Sequence, residues 1–207
     1  MVTNLPNLLT LSRILAIPLV IATFYLPGDG ARWTACALFV AAAITDYFDG
    51  YLARVWNQTS AFGRFLDPIA DKLLVAAVLL MLAAFERFSP FTVLPAMVIL
   101  LREILVSGLR EFLAQLNVGV PVSRLAKWKT GIQMVALPIL LVGDAGPAAI
   151  PIQLLGEICL WMSAVLTLVT GYDYLRAGLR HMTDRPGNTP DTPEPQPVKA
   201  DPARRVG

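Results

Sequence analysis

The sequence predicts an all-α integral membrane protein with six transmembrane helices. Its 207 residues are 56% hydrophobic and only 15% charged, and the mean hydropathy is +0.60. These values lie outside the usual range of soluble domains. Six apolar stretches are each long enough to cross the roughly 30 Å hydrocarbon core of a bilayer as helices. A single helical bundle in a membrane is therefore the expected architecture.

Short polar turns such as PGDG, ERFSP, NVGVP and GDAGP separate the six stretches. Two interpretations stay open for the opening segment NLPNLLTLS: a helix along the membrane interface, or the frayed start of the first span. The first span is extended on its N-terminal side in either case. The predicted spans are 13–26, 31–55, 61–85, 91–112, 125–142 and 150–175.

The distribution of Lys and Arg predicts the orientation in the membrane. Cytoplasmic loops carry the excess of these residues, and only Arg32 and Arg87 fall near the loops of one side. Both termini are therefore expected to be cytoplasmic. The other side carries Arg13, Arg54, Arg64, Lys72, Arg102, Arg110, Arg124, Lys127, Lys129, Arg176, Arg180 and Arg185.

The chain divides into a membrane domain, residues 1–183, and a tail, residues 184–207. The tail is rich in Pro and charge and has few residues that can form a core, so we expect it to be disordered in the cytoplasm. The net charge of +2 does not indicate nucleic acid as a partner. Cys36 and Cys159 lie in apolar segments and are expected only to pack.

Four aspartates interrupt the second and third apolar stretches. They lie in ITDYFDG, which carries Asp46 and Asp49, and in FLDPIADK, which carries Asp67 and Asp71. At 100° per residue, each pair falls on one face of its helix. The linker 56–60 is short, so the two helices are expected to be antiparallel neighbours. The four carboxylates are then expected to converge near the cytoplasmic end.

Carboxylates inside a membrane need positive partners. An Asp at the bilayer centre costs about 2.5 to 3.5 kcal/mol, and clustered carboxylate oxygens are the ligands that Mg²⁺ and Mn²⁺ prefer. Two such ions are common in phosphoryl displacement. Two alternatives stay open from the residues alone. One is a set of salt bridges to Arg54, Arg64 and Lys72 without an ion, and the other is a cation transporter.

The run DYFDGYLARVWNQTSAFGRFLDPIAD has the pattern D-x2-DG-x2-AR-x8-G-x3-D-x3-D. It resembles the signature of the CDP-alcohol phosphatidyltransferases at all eight positions. This resemblance implies a six-span membrane enzyme, usually a homodimer, that binds a CDP-linked lipid at the cytoplasmic end of the bundle. It also implies the site: metal ligands Asp46, Asp49, Asp67 and Asp71, with Asp71 also the general base, and nucleotide-binding residues Asp46, Asp49, Gly50, Ala53, Arg54 and Gly63.

Positive charge is also dense in two later segments, LREILVSGLREF and SRLAKWKT. An anionic acceptor fits this density, and we predict that its phosphate is bound by Arg102, Arg110, Lys127 and Lys129. The alternative is positive-inside topology with attraction to anionic headgroups. We favour that alternative for Arg124.

Four segments resemble the bacterial members of this family that form phosphatidylglycerophosphate: NLPNLLTLSRI, DPIADKLL, LREILVSGLREF and SRLAKWKTGIQ. One departure is Ala126, where those relatives often carry Gly. The implied location is the bacterial inner membrane. The implied reaction is attack by sn-glycerol 3-phosphate on CDP-diacylglycerol with release of CMP. Inositol phosphate and phosphatidylglycerol are the alternative acceptors.

Overall fold

The structure is a computed structural model that describes residues 5–55, 61–115 and 124–183. The predicted tail, 184–207, and the linker between the second and third helices, 56–60, lie outside these ranges. Within these ranges, the structure does not describe the side chains of some residues. They belong to residues 5–8, 47, 49–55, 61–65, 67, 68, 124, 177 and 180–183.

The described chain forms six α-helices and contains no strand, which confirms the all-α prediction. Their bounds lie close to the predicted spans, because each helix ends where the apolar run gives way to turn residues. Short 3-10 turns at Pro90–Thr92 and Gly143–Ala145 lie before the fourth helix and after the fifth. The helices are α1 Leu5–Phe24, α2 Asp29–Val55, α3 Ala61–Ala84, α4 Val93–Gln115, α5 Arg124–Val142 and α6 Ile152–Thr183.

Three stretches of the described chain are long and apolar enough to cross a membrane: Pro90–Gln115, Leu125–Ala145 and Ile152–Arg176. A further apolar stretch, Leu9–Phe24, belongs to α1. The other two helices, α2 and α3, contain the four aspartates and several basic residues. The protein is therefore a multi-pass membrane protein.

The N-terminal helix is continuous from Leu5 to Phe24, so the described part of the opening segment does not form a separate interfacial helix. Thr10 and Arg13 are buried on one face, whereas Leu11 and Leu15 are exposed on another. This part of α1 therefore packs against the bundle with its polar face inward. The buried polar face explains why the segment mixes polar and apolar residues.

The main difference from the predicted packing is the place of α1. It packs extensively against both α2 and α3, while α2 and α3 contact each other over only a short stretch. The two aspartate-bearing helices are thus separated along most of their length by α1. A short linker restricts the distance between helix ends, but it does not decide which side chains fill the space between the helix axes.

The second half of the bundle is built around α6, which packs against α4 and α5, and α2 joins the two halves through α5. Apolar side chains from all six helices form one core, and the outward faces stay apolar, as a lipid environment requires. Its largest fully buried apolar members are Val20, Phe39, Val78, Leu79, Leu82, Ile99, Leu137, Leu140, Leu141 and Leu160.

Hydrogen bonds tie the segment just before α4 to α6, at the end of the bundle that holds the loop between α3 and α4. The Glu157 carboxylate accepts hydrogen bonds from the backbone N–H of Ser89 at 2.8 Å, from Ser89 Oγ at 2.6 Å and from Thr92 Oγ1 at 2.7 Å. Arg32 and Asp144 form an exposed ion pair at 3.5 Å. The carboxylates of Glu157 and Asp144 thus take part in contacts between separate parts of the fold.

Gly156 allows α6 to approach α5 closely. A Cβ atom added to Gly156 would lie 2.8 Å from both Cγ and Cδ2 of Leu140. We expect Gly156→Val to destabilise the protein by about 1 to 3 kcal/mol, because overpacking forces core side chains and backbone to shift. The measurement is thermal unfolding of the purified protein in detergent.

The control for this substitution is Gly131→Ala on α5, where a Cβ would meet nothing within 4 Å. It is expected to leave the melting temperature unchanged or slightly higher, since Ala is the better helix former. Equal losses in both variants would contradict the assignment of close packing to Gly156.

Candidate active site

A buried arginine on α1 contacts Asp46, one of the two described aspartates of the predicted site. The side chain of Arg13 is 1% exposed, and its Nη1 is 2.5 Å from Oδ1 of Asp46. The charge of Arg13 also acts on Asp71. Because α1 packs against both α2 and α3, groups from three helices gather at one place in the bundle.

Of the four predicted carboxylates, Asp46 pairs with Arg13, and Asp71 lies within range of the Arg13 charge. The backbones of Asp49 and Asp67 are helical and lie one turn from these positions in α2 and α3. Their side chains lie outside the description, so convergence of all four carboxylates stays a prediction. The same holds for the predicted nucleotide-binding residues Gly50, Ala53, Arg54 and Gly63.

The donor atoms near Arg13 fit a hard divalent cation. Carboxylate oxygens are the ligands of Mg²⁺ and Mn²⁺, and the Asp46 side chain is 41% exposed, so it is accessible to an ion. Among the residues with described side chains, no group of three or more His, Cys, Asp or Glu lies close enough to hold a metal. The predicted ligand set also includes Asp49 and Asp67, whose side chains lie outside the description.

A small cavity of about 70 Å³ lies beside Asp71. Its described walls come from α3, α4 and α5 and include Lys72, Glu103, Lys129 and Gln133. Apolar side chains of the same helices complete this wall. The cavity thus places one carboxylate, Asp71, next to a set of polar groups that can bind a small polar ligand.

A second cavity of about 150 Å³ is strongly basic. Four cationic side chains line it, and so do the polar side chains of Ser107, Thr130 and Tyr174. The two cavities share Lys72, Glu103, Lys129 and Thr130, so they adjoin. The four cations are Lys72, Arg102, Arg110 and Lys129.

The cations are held by defined contacts. Lys129 is 4% exposed, and its Nζ forms an ion pair with Oε1 of Glu103. Arg102 donates a hydrogen bond from Nη2 to Thr170 Oγ1 at 2.8 Å and forms an ion pair with Glu103 at 3.3 Å. Gly171 lets α6 approach, since a Cβ there would lie 3.0 Å from Cγ of Arg102. Lys129 and Arg102 are thus held in place before a ligand binds.

Three of the four predicted acceptor-phosphate residues, Arg102, Arg110 and Lys129, line the basic cavity. Lys127 is exposed and is not among the described residues that line either cavity. Residues two positions apart on a helix point in directions that differ by about 200°, so the side chains of Lys127 and Lys129 lie on opposite sides of α5. The side chain of Arg124 lies outside the description.

The sequence did not assign Arg13 or Glu103 to the site. Arg13 is the one charged residue in the apolar run of α1, and such charges within membrane segments usually face functional interiors. Glu103 follows Arg102 directly. An acidic residue beside a basic one on a helix is easily interpreted as part of a solvent-exposed surface. Lys72 had been considered only as a salt-bridge partner.

The fold and site together define a class of protein. A membrane-embedded helical bundle places carboxylates next to a basic cavity, and this arrangement suits a reaction between two phosphate-bearing molecules. Such a reaction needs phosphate charge to be neutralised and a hydroxyl to lose its proton.

Comparison with known proteins agrees with this class. The profile of the CDP-alcohol phosphatidyltransferase family matches residues 3–169. The chain belongs to this family and is a membrane transferase. Because the chain belongs to a transferase family, we favour the transferase interpretation over the cation transporter.

Several curated relatives are similar over most of their length, and each is named CDP-diacylglycerol--glycerol-3-phosphate 3-phosphatidyltransferase. The protein from Rickettsia bellii is 55% identical over 174 residues, which are 84% of this chain and 94% of the relative. The one from Pseudomonas fluorescens is 46% identical, with 86% and 92% covered. The one from Cereibacter sphaeroides is 41% identical, with 87% and 98% covered.

Proposed function

We propose that this protein transfers the phosphatidyl group of CDP-diacylglycerol to sn-glycerol 3-phosphate and forms phosphatidylglycerophosphate and CMP. The observation that carries the proposal is the junction of the Asp71 cavity with the basic cavity, which share Lys72, Glu103 and Lys129. The names of the similar bacterial proteins support the same donor and acceptor.

The donor site is formed by α2 and α3. Asp46, Asp49, Asp67 and Asp71 hold two divalent ions, Mg²⁺ or Mn²⁺. These ions, when bound, neutralise the charge of the pyrophosphate as Lewis acids. The remaining signature residues bind the nucleotide: the small residues Gly50, Ala53 and Gly63 leave room for the cytidine, and Arg54 lies beside its phosphates.

The acceptor site is the basic cavity. A phosphate monoester bound there meets Arg102, Arg110 and Lys129, and charge-assisted hydrogen bonds to such groups are among the strongest in proteins. Lys127 contributes from the exposed face of α5 by attracting the anion. Because this cavity adjoins the one that contains Asp71, the bound acceptor has its other end near the carboxylate.

The chemical step follows from these positions. Asp71 accepts the proton of the C1 hydroxyl of sn-glycerol 3-phosphate, and the hydroxyl oxygen attacks the lipid-bearing phosphorus of CDP-diacylglycerol. The bond between this phosphorus and the bridging oxygen breaks, and CMP leaves with the electron pair. Arg13 holds Asp46 by an ion pair and so fixes the donor side of the site.

The proposed arrangement in the cell follows the charge distribution. All six helices cross the bacterial inner membrane, both termini are cytoplasmic, and the active end of the bundle faces the cytoplasm. The positive-inside rule supports this orientation, since Lys and Arg are concentrated at that end. Residues 1–183 are the catalytic domain, residues 184–207 are a disordered tail, and the enzyme is a homodimer.

The test is release of CMP by the purified protein in detergent micelles that contain CDP-diacylglycerol. We expect release with Mg²⁺ and sn-glycerol 3-phosphate, and none after chelation of divalent ions. Release only with inositol phosphate or phosphatidylglycerol would replace the proposed acceptor. Absence of release with every acceptor would refute the proposed activity.

A further inference from the structure

Glu103 is the only carboxylate among the described residues that line the basic cavity. A negative group there repels the phosphate that the surrounding cations attract. Its presence calls for a role that offsets this cost. The contacts of Glu103 and its place at the junction of the two cavities define that role.

The two carboxylate oxygens of Glu103 differ in their contacts. Oε1 is bound by Lys129 Nζ and by Arg102 Nη1, so this oxygen links cations from α4 and α5. Oε2 makes no hydrogen bond or ion pair with any residue in the described part of the chain. The Glu103 side chain is 23% exposed and lines both cavities. Glu103 therefore has one oxygen that positions cations and one that is available to a ligand.

The order of groups across the junction matches the order of groups in the acceptor. Asp71 lines only the smaller cavity, Arg102 and Arg110 line only the larger one, and Glu103 lines both. In sn-glycerol 3-phosphate the C2 hydroxyl lies between the reacting C1 hydroxyl and the phosphate. With the phosphate among the cations and the C1 hydroxyl at Asp71, the C2 hydroxyl falls at Glu103.

We propose that Glu103 accepts a hydrogen bond from the C2 hydroxyl of the acceptor and selects glycerol phosphate over phosphorylated alcohols that lack this hydroxyl. This inference rests on the proposed function and extends it to a specificity-determining residue. A hydroxyl is the suitable partner because it donates to a carboxylate without adding charge. An acceptor without it leaves a partly buried carboxylate oxygen unpaired.

The experiment compares two acceptors, sn-glycerol 3-phosphate and 3-hydroxypropyl phosphate, which differ only in the C2 hydroxyl. The readout is the ratio of kcat/KM for the two acceptors, measured as CMP release. The wild-type enzyme is expected to prefer sn-glycerol 3-phosphate by roughly 10- to 100-fold, the usual range for a hydrogen bond to a charged group. A wild-type ratio near one would overturn the proposal.

Glu103→Ala is expected to bring this ratio to about one, because the acceptor oxygen is gone. Glu103→Gln keeps the shape and offers a neutral acceptor, so its ratio is expected to be roughly 3 to 10, consistent with the weaker neutral hydrogen bond. Both variants also lose the ion pair to Lys129, and this loss lowers the rates with both acceptors. A residue that only positions Lys129 would lower both rates equally and leave the wild-type ratio.

The matched control is Glu86→Gln, at an exposed position between α3 and α4 and outside both cavities, which is expected to keep the wild-type ratio and rates. Melting temperatures of all variants are measured in parallel. If Glu103→Ala does not fold, an unchanged ratio in Glu103→Gln overturns the proposal by itself. Failure of the wild-type enzyme to use sn-glycerol 3-phosphate refutes the proposed function, whereas unchanged ratios in active variants refute only the role of Glu103.

Discussion

Asp71→Asn is expected to lower kcat for CMP release by about 10²- to 10⁴-fold, the usual contribution of a general acid or base. The amide cannot accept the proton of the attacking hydroxyl, and it is also a weaker ligand for a divalent ion. The side chain keeps its size, so the cavity shared with Lys72 and Lys129 keeps its shape. The measurement is steady-state CMP release with saturating CDP-diacylglycerol and sn-glycerol 3-phosphate.

Asp144→Asn is the control for this substitution. Asp144 is an exposed acid in the 3-10 turn after α5, paired with Arg32 at 3.5 Å. Exposed ion pairs contribute little to stability, so this variant is expected to keep full activity and its melting temperature. Wild-type activity in Asp71→Asn would remove Asp71 from the chemical step.

Lys129→Met is expected to raise KM for sn-glycerol 3-phosphate by roughly 10- to 100-fold, since hydrogen bonds to charged groups are worth about 1.5 to 3 kcal/mol. Lys129 is almost fully buried, pairs with Glu103 and lines both cavities. Met fills a similar volume without the charge, so the packing of α5 is preserved. The KM for CDP-diacylglycerol is expected to change much less, because we propose that the donor binds to α2 and α3.

Lys127→Met tests the same helix two residues earlier. Lys127 is exposed, and exposed charges act through water at a small gain. The expected rise in KM for sn-glycerol 3-phosphate is therefore about 2- to 3-fold. An effect of Lys127→Met as large as that of Lys129→Met would contradict the assignment of the acceptor phosphate to the basic cavity.

The helices could be predicted from the sequence because apolar runs and turn residues act locally. Each of the six predicted spans matches one observed helix, but α1 begins eight residues before its predicted span and α6 ends eight residues after its own. The packing between helices was less predictable. A short linker favoured α2 and α3 as direct neighbours, but α1 packs against both of them. Which apolar faces meet depends on side-chain shape over the whole bundle, and no local pattern records it.

The site was predictable where a pattern of spacing carried the chemistry. The aspartates stand out because carboxylates are costly in a membrane, and one of them, Asp46, pairs with a buried group from another helix. That group, Arg13, was used only to predict orientation, since a single charge near the start of a span is also typical of a membrane boundary. Its burial depends on the position of α1, which the sequence alone does not show.

The density of positive charge along the sequence does not show which basic residues face the interior of the bundle. Lys127 and Lys129 belong to the same basic segment, yet one is exposed and the other is buried. Their directions differ because of helical geometry, but the face of α5 that points inward is set by its packing against α6 and α2. Glu103 was missed for a related reason, since its partner Lys129 lies 26 residues away in the chain.

The position of α1 between the two aspartate-bearing helices makes it a spacer. The space between α2 and α3 is filled over most of their length by a helix that supplies none of the carboxylates. A spacing fixed in this way preorganises the predicted carboxylate site, so an ion bound there would spend little of its binding energy on drawing the helices together.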